Sequence, residues 1–364
     1  MNVCIIGEGL TALSLAKSLI NKKINVHYYY KSKNSNFSSN RTIGISKSNF
    51  EFFKEKIFQI SKNNYWKINR IEIYTDKIDT ENLLKFENDK NDLFYIIKND
   101  ELLKSLNSNL IKSKFFKKII LKKNINEEFL NKKEYDLIIN CDANNFLAKK
   151  YFTKKISKNY YNLAYTTILK HKKIENNTAT QIFTKQGPIA FLPISNTETS
   201  VVYSIDIKNK KFDNSDVIDL INKNNPKYLI NKIDKLNSFE LSSSNLRNYY
   251  HKNILAFGDM LHRVHPLAGQ GFNMTIRDLR ILTKIIEDKI ELGMQLDSQI
   301  LDEFEKKTKD KNFVFSKAID LIYESFNLDK KVQNKSFSKI LKSIGKNKNL
   351  NNYFIKLADT GINF

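Results

Sequence analysis

The chain of 364 residues is 41% hydrophobic and 12% aromatic, a composition that excludes intrinsic disorder and predicts a folded protein with a substantial core. Its formal net charge of +22 suggests nucleic acid or an anionic membrane surface as a partner. Nucleic-acid sites usually combine arginine forks with stacking aromatics, but only six of the 61 basic residues are arginine, so we predict no nucleic-acid partner.

The N-terminal thirty residues predict a strand, a glycine turn, a helix and a second strand, which is the start of a βαβ unit. Asn2–Ile6 is a short apolar run, and residues 24–30 form another. Between them, apolar side chains recur every three or four residues, as on one face of a helix. These are Leu10, Leu13, Ala16 and Ile20.

The middle of the chain contains two kinds of predicted strand. Residues 135–141 and 253–257 are apolar runs, typical of strands buried in a parallel sheet. Residues 68–74 and 200–207 alternate polar and apolar side chains, a pattern that predicts antiparallel strands. This order of strands along the chain predicts a nucleotide-binding domain that is interrupted by a second, β-rich domain.

Two prolines mark a further strand, and the last part of the chain is predicted to be helical. Pro188 and Pro193 bracket an apolar run. Because proline cannot donate to a strand ladder, this spacing predicts an edge strand or the two ends of a strand. After Asn273 the apolar residues follow mostly helical spacing.

The first glycine segment matches the pattern G-x-G-x-x-G/A and reads Gly7-Glu8-Gly9-Leu10-Thr11-Ala12. Such glycines form a tight turn that lets backbone approach a pyrophosphate, which then binds at the N-terminus of the following helix. An acidic residue is expected about twenty positions later to hold ribose hydroxyls. At that place the chain has Tyr30 and Lys31 instead.

The second glycine segment spans residues 258–273. The chain contains only ten glycines and four prolines, yet Gly258, Gly269, Gly271 and Pro266 all lie here. Glycine is required where backbone approaches a ligand or has a positive φ, so the concentration predicts a ligand site. Asp259 offers a carboxylate for sugar or ribityl hydroxyls, and the helix predicted from about residue 273 offers a positively polarised N-terminus.

These segments resemble the flavin-dependent aromatic hydroxylases of the para-hydroxybenzoate-hydroxylase type, and within them the branch of ubiquinone biosynthesis. The family motif G-D-A-A-H-x-x-x-P-x-x-G-Q-G-x-N is matched at Gly258, Asp259, His262, Pro266, Gly269, Gln270, Gly271 and Asn273, with Asp278 and Leu279 following. Residues 41–46 resemble R-x-x-A-L-S, residues 136–142 resemble D-L-V-V-G-A-D-G, and residues 187–193 resemble G-P-x-A-x-L-P, which is characteristic of the ubiquinone branch.

The resemblance implies an α/β protein with a Rossmann-like FAD domain of the glutathione-reductase type, a β-rich substrate domain and a helical C-terminal region. It predicts the FAD domain at residues 1–65, 97–150 and 245–290, the substrate domain at 66–96 and 151–244, and the helical region at 291–364.

The implied reaction is hydroxylation of the aromatic ring of a polyprenylated phenol, with FAD, NAD(P)H and O₂, through a flavin C4a-hydroperoxide. Two alternatives stay open: a hydroxylase of a soluble aromatic substrate, and a flavin-binding scaffold subunit of a biosynthetic complex.

The resemblance also implies which residues contact FAD, namely Gly7, Gly9, Leu10, Thr11, Ala12, Tyr30, Arg41, Asn99, Asp142, Asp259, Pro266, Gly269, Gln270, Gly271, Phe272 and Asn273. A surface ion pair is the alternative for Arg41, and a helix cap is the alternative for Asn99. The chain departs from the family at Tyr30 (usually Glu), Ala143 (usually Gly), Met260-Leu261 (usually paired alanines) and Thr275 (usually Gly).

His265 is the predicted catalytic residue, because an imidazole titrates near neutral pH and could assist the phenol proton. Packing beside Pro266 is the alternative. Cys4 and Cys141 lie far apart in apolar runs, so we expect small buried side chains rather than a redox pair or metal ligands. No metal site is predicted.

The expected location is cytoplasmic and peripheral on the inner face of the membrane. The first strand begins at Asn2, which leaves no room for a signal peptide, and no apolar run reaches about 18 residues. The apolar stripe Phe337, Ile340, Leu341 and Ile344, flanked by lysines, predicts a helix that lies on the membrane or packs on the body. A ubiquinone-biosynthesis complex is a further expected partner.

Overall fold

The computed structural model describes residues 1–31, 41–75, 82–87, 92–121, 134–208, 212–332 and 347–362, leaving out the side chains of 268, 327–332 and 348. Within these ranges the chain forms eighteen strands in three sheets, together with eight α-helices. The predicted α/β fold is confirmed.

The strands are β1 Asn2–Ile6, β2 Asn25–Tyr30, β3 Thr42–Ser46, β4 Trp66–Ile68, β5 Arg70–Thr75, β6 Leu84–Glu87, β7 Phe94–Lys98, β8 Phe116–Ile120, β9 Leu137–Asn140, β10 Lys155–His171, β11 Thr178–Phe183, β12 Pro188–Pro193, β13 Glu198–Asp206, β14 Ile230–Ile233, β15 Asn237–Leu246, β16 Tyr250–His251, β17 Ile254–Ala256 and β18 His262–Arg263. The helices are α1 Leu10–Asn21, α2 Lys47–Phe52, α3 Asn99–Ile111, α4 Phe146–Tyr151, α5 Asn214–Lys223, α6 Gln270–Glu291, α7 Ser298–Val332 and α8 Lys348–Thr360.

The first sheet has six strands in the order β16-β17-β9-β1-β2-β8. β1 runs parallel to both β2 and β9, and β17 runs parallel to β9. The parallel strands predicted within residues 135–141 and 253–257 are therefore confirmed. Val3, Cys4 and Ile5 of the central strand are completely buried, which explains the unbroken apolar run. Burial raises the pKa of the Cys4 thiol well above its usual value, so this cysteine acts as a small hydrophobic side chain.

The second sheet has nine strands, ordered β18-β15-β10-β13-β12-β11-β5-β6, with β14 paired to β10. The antiparallel strands predicted at residues 68–74 and 200–207 correspond to β5 and β13. β5 nevertheless runs parallel to β11 on one side and antiparallel to β6 on the other.

The proline-bracketed strand β12 lies inside this sheet, so the edge-strand interpretation is wrong. Phe191 of β12 pairs with Thr180 on one side and with Val201 on the other. Pro188 and Pro193 are its first and last residues, where a missing N–H costs least. The strand-end interpretation is the correct one.

A third sheet of three strands, β3-β7-β4, adjoins the nucleotide-type unit. β7 is its middle strand, and Gly44 of β3 faces Ile96 in the antiparallel register. The domain boundary predicted between residues 96 and 97 falls inside β7, so a boundary drawn there would divide a strand.

Three helices follow the sheets, in accord with the helical spacing predicted after Asn273. α6 and the 35-residue α7 pack against each other, and α8 returns to lie beside α2. The stripe predicted from Phe337 to Ile344 lies outside the described residues. Among the described helices, none combines the length and apolarity that crossing a membrane requires.

Candidate functional site

A cavity of about 930 Å³ joins the glycine segments to the face of the nine-stranded sheet. Its size falls in the range of small-molecule and cofactor sites, about 300–1,000 Å³. One end is lined by the β1–α1 turn, by Asp259 and by the start of α6, and the other by side chains of β5, β11, β12 and β15.

The turn between β1 and α1 places two glycines in different surroundings. A Cβ on Gly9, where φ is 135°, would meet no atom within 4 Å, whereas a Cβ on Gly7 would lie 3.0 Å from that of Cys141. Gly9, Leu10, Thr11 and Ala12 line the cavity and Gly7 does not. The open backbone at Gly9 and the first N–H groups of α1 are therefore where an anionic group can bind.

Gly258 links the two glycine segments through the protein itself. Its φ is 68°, and a Cβ there would lie 2.5 Å from Cγ2 of Thr11. Glycine is required at position 258 because a side chain there would clash with Thr11, not because a ligand approaches. The concentration of glycines in residues 258–273 therefore does not mean that each of them contacts a ligand. The neighbouring Asp259 is exposed and lines the cavity, so the contact places its carboxylate near the α1 turn.

The N-terminus of α6 forms another part of the wall. Gly269 has left-handed backbone, with φ 63° and ψ 27°, immediately before the helix begins at Gln270. Pro266, Gly269, Gln270, Gly271 and Phe272 all line the cavity. The first turn of α6 contains no acidic residue, so its positive dipole end is not offset by a carboxylate within that turn.

Asn273 is completely buried and does not line the cavity. Its Oδ1 accepts hydrogen bonds from Ser46 N (2.9 Å) and Asn49 Nδ2 (3.2 Å). Its Nδ2 donates to Gly44 O (3.0 Å) and Gly269 O (3.1 Å). The structure therefore places Asn273 behind the site, where it fastens β3 to the start of α6.

Arg41 and Asn99 both line the cavity, and the Asn99 N–H donates to the Arg41 carbonyl at 3.0 Å. Asn99 begins α3, whose N-cap is Lys98. The helix-cap alternative for Asn99 is therefore wrong.

The far end of the cavity is mostly apolar. The sheet contributes Ile71, Ile73, Phe86, Leu192, Phe239 and Leu241. Helix α8 adds Phe354 and Ile355, which the sequence pattern did not single out because α8 begins 75 residues after the end of the second glycine segment.

Hydrogen bonds attach helix α8 to α2 at one end and to the nine-stranded sheet at the other. Near its end, an Asp359 carboxylate oxygen accepts a hydrogen bond from Ser48 N at 2.8 Å, at the beginning of α2. Near its start, Asn351 Nδ2 donates to Lys85 O at 2.8 Å, in β6. This helix therefore closes one side of the cavity.

Comparison with known proteins agrees with this architecture. The profile of the FAD binding domain family (FAD_binding_3) matches residues 158–311. The chain is 24% identical to the mitochondrial ubiquinone biosynthesis monooxygenase COQ6 of Caenorhabditis elegans over 357 residues, covering 80% of this chain and 78% of that protein. It is 27% identical to 3-demethoxyubiquinol 3-hydroxylase of Escherichia coli (strain K12) over 153 residues, covering 40% of this chain and 39% of the relative. The chain spans 34%, 47% and 50% of three further COQ6 proteins, from Dictyostelium discoideum, Danio rerio and Xenopus tropicalis.

Solved structures share the fold over nearly the whole chain. The p-nitrophenol 4-monooxygenase PnpA of Pseudomonas putida DLL-E4 superposes with a TM-score of 0.77 at 12% identity, covering 100% of this chain and 98% of that one. Klebsiella pneumoniae HpxO, solved with FAD and uric acid, gives 0.76 at 12% identity, covering 99% and 97%. The chain is therefore similar to FAD-dependent monooxygenases in fold and, at 24% identity over most of its length, in sequence.

The cavity fits FAD. The open backbone at Gly9 and two helix N-termini suit an anionic pyrophosphate and an electron-rich ring, and Asp259 suits hydroxyl donors. Two other predicted contacts do not line the cavity. The Tyr30 ring lies 4.6 Å from Lys118 Nζ. The Asp142 carboxylate accepts a hydrogen bond from Asn144 N (2.8 Å) and pairs with Lys31 Nζ (2.9 Å).

His265, the predicted catalytic residue, does not line the cavity. Its side chain is 1% exposed, stacked 4.2 Å from the Tyr323 ring and edge-on 4.9 Å from the Tyr160 ring. Burial, helped by nearby Lys158, lowers the pKa of His265 to about 3. This geometry favours the packing alternative, because a neutral histidine between two tyrosines is remote from any substrate proton.

His262 and Cys141 are two further cavity residues to which the sequence reasoning gave no role in the site. His262 lines the cavity, and its buried Nε2 lies 2.5 Å from Oδ2 of Asp278. The other carboxylate oxygen of Asp278, Oδ1, accepts a hydrogen bond from Asn312 Nδ2 at 2.9 Å. His262 and Asp278 were noted only as motif matches, although the motif already pairs them. Cys141, predicted to be buried, is half-buried and lines the cavity. Burial and the nearby Asp259 raise the pKa of its thiol.

Proposed function

We propose that the chain hydroxylates the aromatic ring of a polyprenylated phenol in ubiquinone formation, using FAD, NAD(P)H and O₂. The observation that carries the proposal is the single cavity that runs from the glycine turns to an apolar sheet face. Relatives named for ubiquinone biosynthesis and for 3-demethoxyubiquinol hydroxylation support this class of substrate.

The apolar end of the cavity supports a substrate with a hydrocarbon part. Ile71, Ile73, Phe86, Phe354 and Ile355 give this region a mainly apolar lining, beside polar side chains such as Gln181 and Glu240. Burying hydrocarbon there is favourable by about 0.8 kcal/mol per methylene. Prenyl groups bring several such carbons each, whereas a small polar phenol would leave this surface without a matching partner.

The residues of the chain bind, orient and exclude water. The Gly9 backbone and the start of α1 would hold the pyrophosphate, while Asp259 would accept hydrogen bonds from hydroxyl groups of the cofactor. The N-terminus of α6, at Gln270 and Gly271, would stabilise negative charge on the ring. When bound, FAD supplies the transfer of electrons from NAD(P)H and the activation of O₂. The apolar walls keep water from the reacting ring.

The first experiment asks whether the purified protein carries flavin and whether a phenol speeds NAD(P)H oxidation. We expect a yellow protein that releases FAD and transfers one ¹⁸O atom from ¹⁸O₂ to a prenylated phenol. An oxidation rate raised equally by 4-nitrophenol and by the prenylated phenol would favour the soluble-substrate alternative. A colourless protein that takes up no added FAD would refute the enzyme and favour a scaffold.

A membrane surface and a ubiquinone-biosynthesis complex are the partners that such a substrate favours, because a polyprenyl phenol dissolves in the bilayer. The proposed location is therefore peripheral, on the inner face of the membrane. Replacing Lys335, Lys339, Lys342 and Lys346 by glutamine should reduce co-sedimentation with vesicles that contain anionic lipid. The matched control replaces four lysines that are exposed elsewhere, Lys104, Lys172, Lys232 and Lys284. Equal loss in both variants would exclude a specific role for the 335–346 segment.

A further inference from the structure

Gln181 is a polar residue on the sheet face that lines the apolar end of the cavity. It lies in β11, where its register partners are Ala190 of β12 on one side and Ile73 of β5 on the other. Both partners line the cavity together with Gln181. Residues that pair directly across neighbouring strands have side chains on the same face of a sheet. The carboxamide of Gln181 therefore stands between the side chains of an alanine and an isoleucine on the cavity wall.

The next residue of β11 shows which face the cavity occupies. Successive side chains of a strand point to opposite faces of the sheet. Ile182 packs in a buried cluster with Val217 and Ile221 of α5. Helix α5 therefore covers the face opposite to Gln181, and the face of Gln181 is left to the cavity.

The carboxamide of Gln181 has no partner in the described part of the chain. Gln181 is half-buried, and its side chain makes no hydrogen bond with any residue that the structure describes. Glu240, by comparison, is exposed, so water solvates its carboxylate. A ligand that covers a half-buried amide has to replace the water around it, because a buried polar group without a hydrogen bond is costly. This point of the wall therefore favours a ligand with a hydrogen-bonding group.

The sheet face that carries this amide continues to the flavin end of the cavity. Leu192, on the same face of β12, pairs with Ser200 of β13. Ser200 Oγ accepts a hydrogen bond of 2.8 Å from Thr42 Oγ1 in β3. β3 also contains Gly44, and a Cβ on Gly269, at the start of α6, would lie 3.7 Å from the Gly44 carbonyl oxygen. A ring held on this face thus lies on a wall that leads to the flavin.

We infer that Gln181 binds the ring hydroxyl of the phenol substrate and positions the ring for hydroxylation. A carboxamide has two N–H donors and one acceptor oxygen, so it can accept a hydrogen bond from a phenol and donate one to a phenolate. This inference rests on the proposed function and deepens it, since it names the residue that recognises the oxygen of the substrate.

The test removes the carboxamide and the ligand hydroxyl separately. Binding of 2-prenylphenol and of prenylbenzene to the FAD-loaded protein is measured by titration calorimetry without NAD(P)H, for the wild type, Gln181→Leu, Gln181→Met and the control Gln299→Leu. Gln299 is exposed and lies outside the cavity lining. A net hydrogen bond is equivalent to about three- to tenfold in affinity. The preference for the phenol over prenylbenzene should fall by that factor in both Gln181 variants and stay at the wild-type value in the control.

Each outcome has one interpretation once thermal melts show which variants remain folded, and either Gln181 variant is sufficient. An unchanged preference for the phenol would overturn the inference and leave the proposed function standing. Equal loss of affinity for both ligands would also overturn it, because the substitution would then have changed the shape of the cavity rather than a contact with the hydroxyl. A wild type that binds neither ligand would refute the proposed function together with this inference.

Discussion

Asn273→Ala tests whether the fold around the cavity depends on the hydrogen bonds that Asn273 makes behind the cavity wall. The side chain is 0% exposed and its hydrogen bonds join Ser46 N, Gly44 O and Gly269 O. Truncation leaves these backbone groups without this partner, at about 1–3 kcal/mol for each buried group left unsatisfied; the Gly269 carbonyl, which is only part-buried, contributes least. With relaxation around some of them, we expect an overall loss of about 3–5 kcal/mol.

The assay is a thermal melt of the flavin-free protein, so that ligand binding does not contribute. At about 2.1 cal/mol/K per residue, 364 residues have an unfolding entropy near 0.8 kcal/mol/K. The expected loss therefore lowers Tm by about 4–6 °C. Asn107→Ala is the matched control, because Asn107 is a helix residue with one exposed hydrogen bond, accepted from Lys118 Nζ. A Tm shift for Asn273→Ala no larger than that of the control would refute the argument.

Three further variants test separate parts of the site. Asp259→Ala should weaken FAD binding about tenfold in a fluorescence titration while leaving the melt of the flavin-free protein unchanged, because this carboxylate is exposed; unchanged affinity would contradict its role. The folded-state pKa of His265 is about 3, below the usual 6.5, so stability is present above pH 6.5 and is lost as pH falls, by on the order of 2 kcal/mol at pH 5. His265→Phe should remove that loss in melts at pH 7.5 and 5, and an identical pH dependence in both proteins would disprove it. Asp359→Ala should speed amide hydrogen exchange across Lys348–Thr360 about tenfold, since Ser48 N loses its acceptor; exchange at the wild-type rate would show that other contacts hold α8.

Local patterns predicted the βαβ start and the parallel strands because the pattern for each of these elements lies within a few consecutive residues. Gly9 and Asp259 could be placed on the cavity wall for the same reason, since a strand before the motif and a helix after it fix where the turn lies. The family resemblance added the order in which the segments of the FAD domain and of the substrate domain follow one another along the chain. It also singled out Asn273, but as a residue in contact with FAD. The structure instead places Asn273 behind the cavity wall.

The remaining features depend on contacts between distant residues, which no local pattern reveals. The position of β12 inside its sheet is set by its neighbours β11 and β13, while its two prolines indicate only where the strand ends. His265 resembles a catalytic residue in the linear motif, but β10 and α7 bring Tyr160 and Tyr323 around it.

The contact between Thr11 and Gly258 also has a consequence for how the protein is made. It joins two residues that lie 247 positions apart in the chain, while β17, which follows residue 253, completes the parallel sheet beside β9. At about 5–20 residues per second, the ribosome needs tens of seconds to pass from the first glycine turn to the second. During that time β1 and α1 have apolar surfaces whose later partners do not yet exist. The two glycine turns can therefore meet only after residue 258 has been synthesised, and the cavity is completed later still, when helix α8 is made.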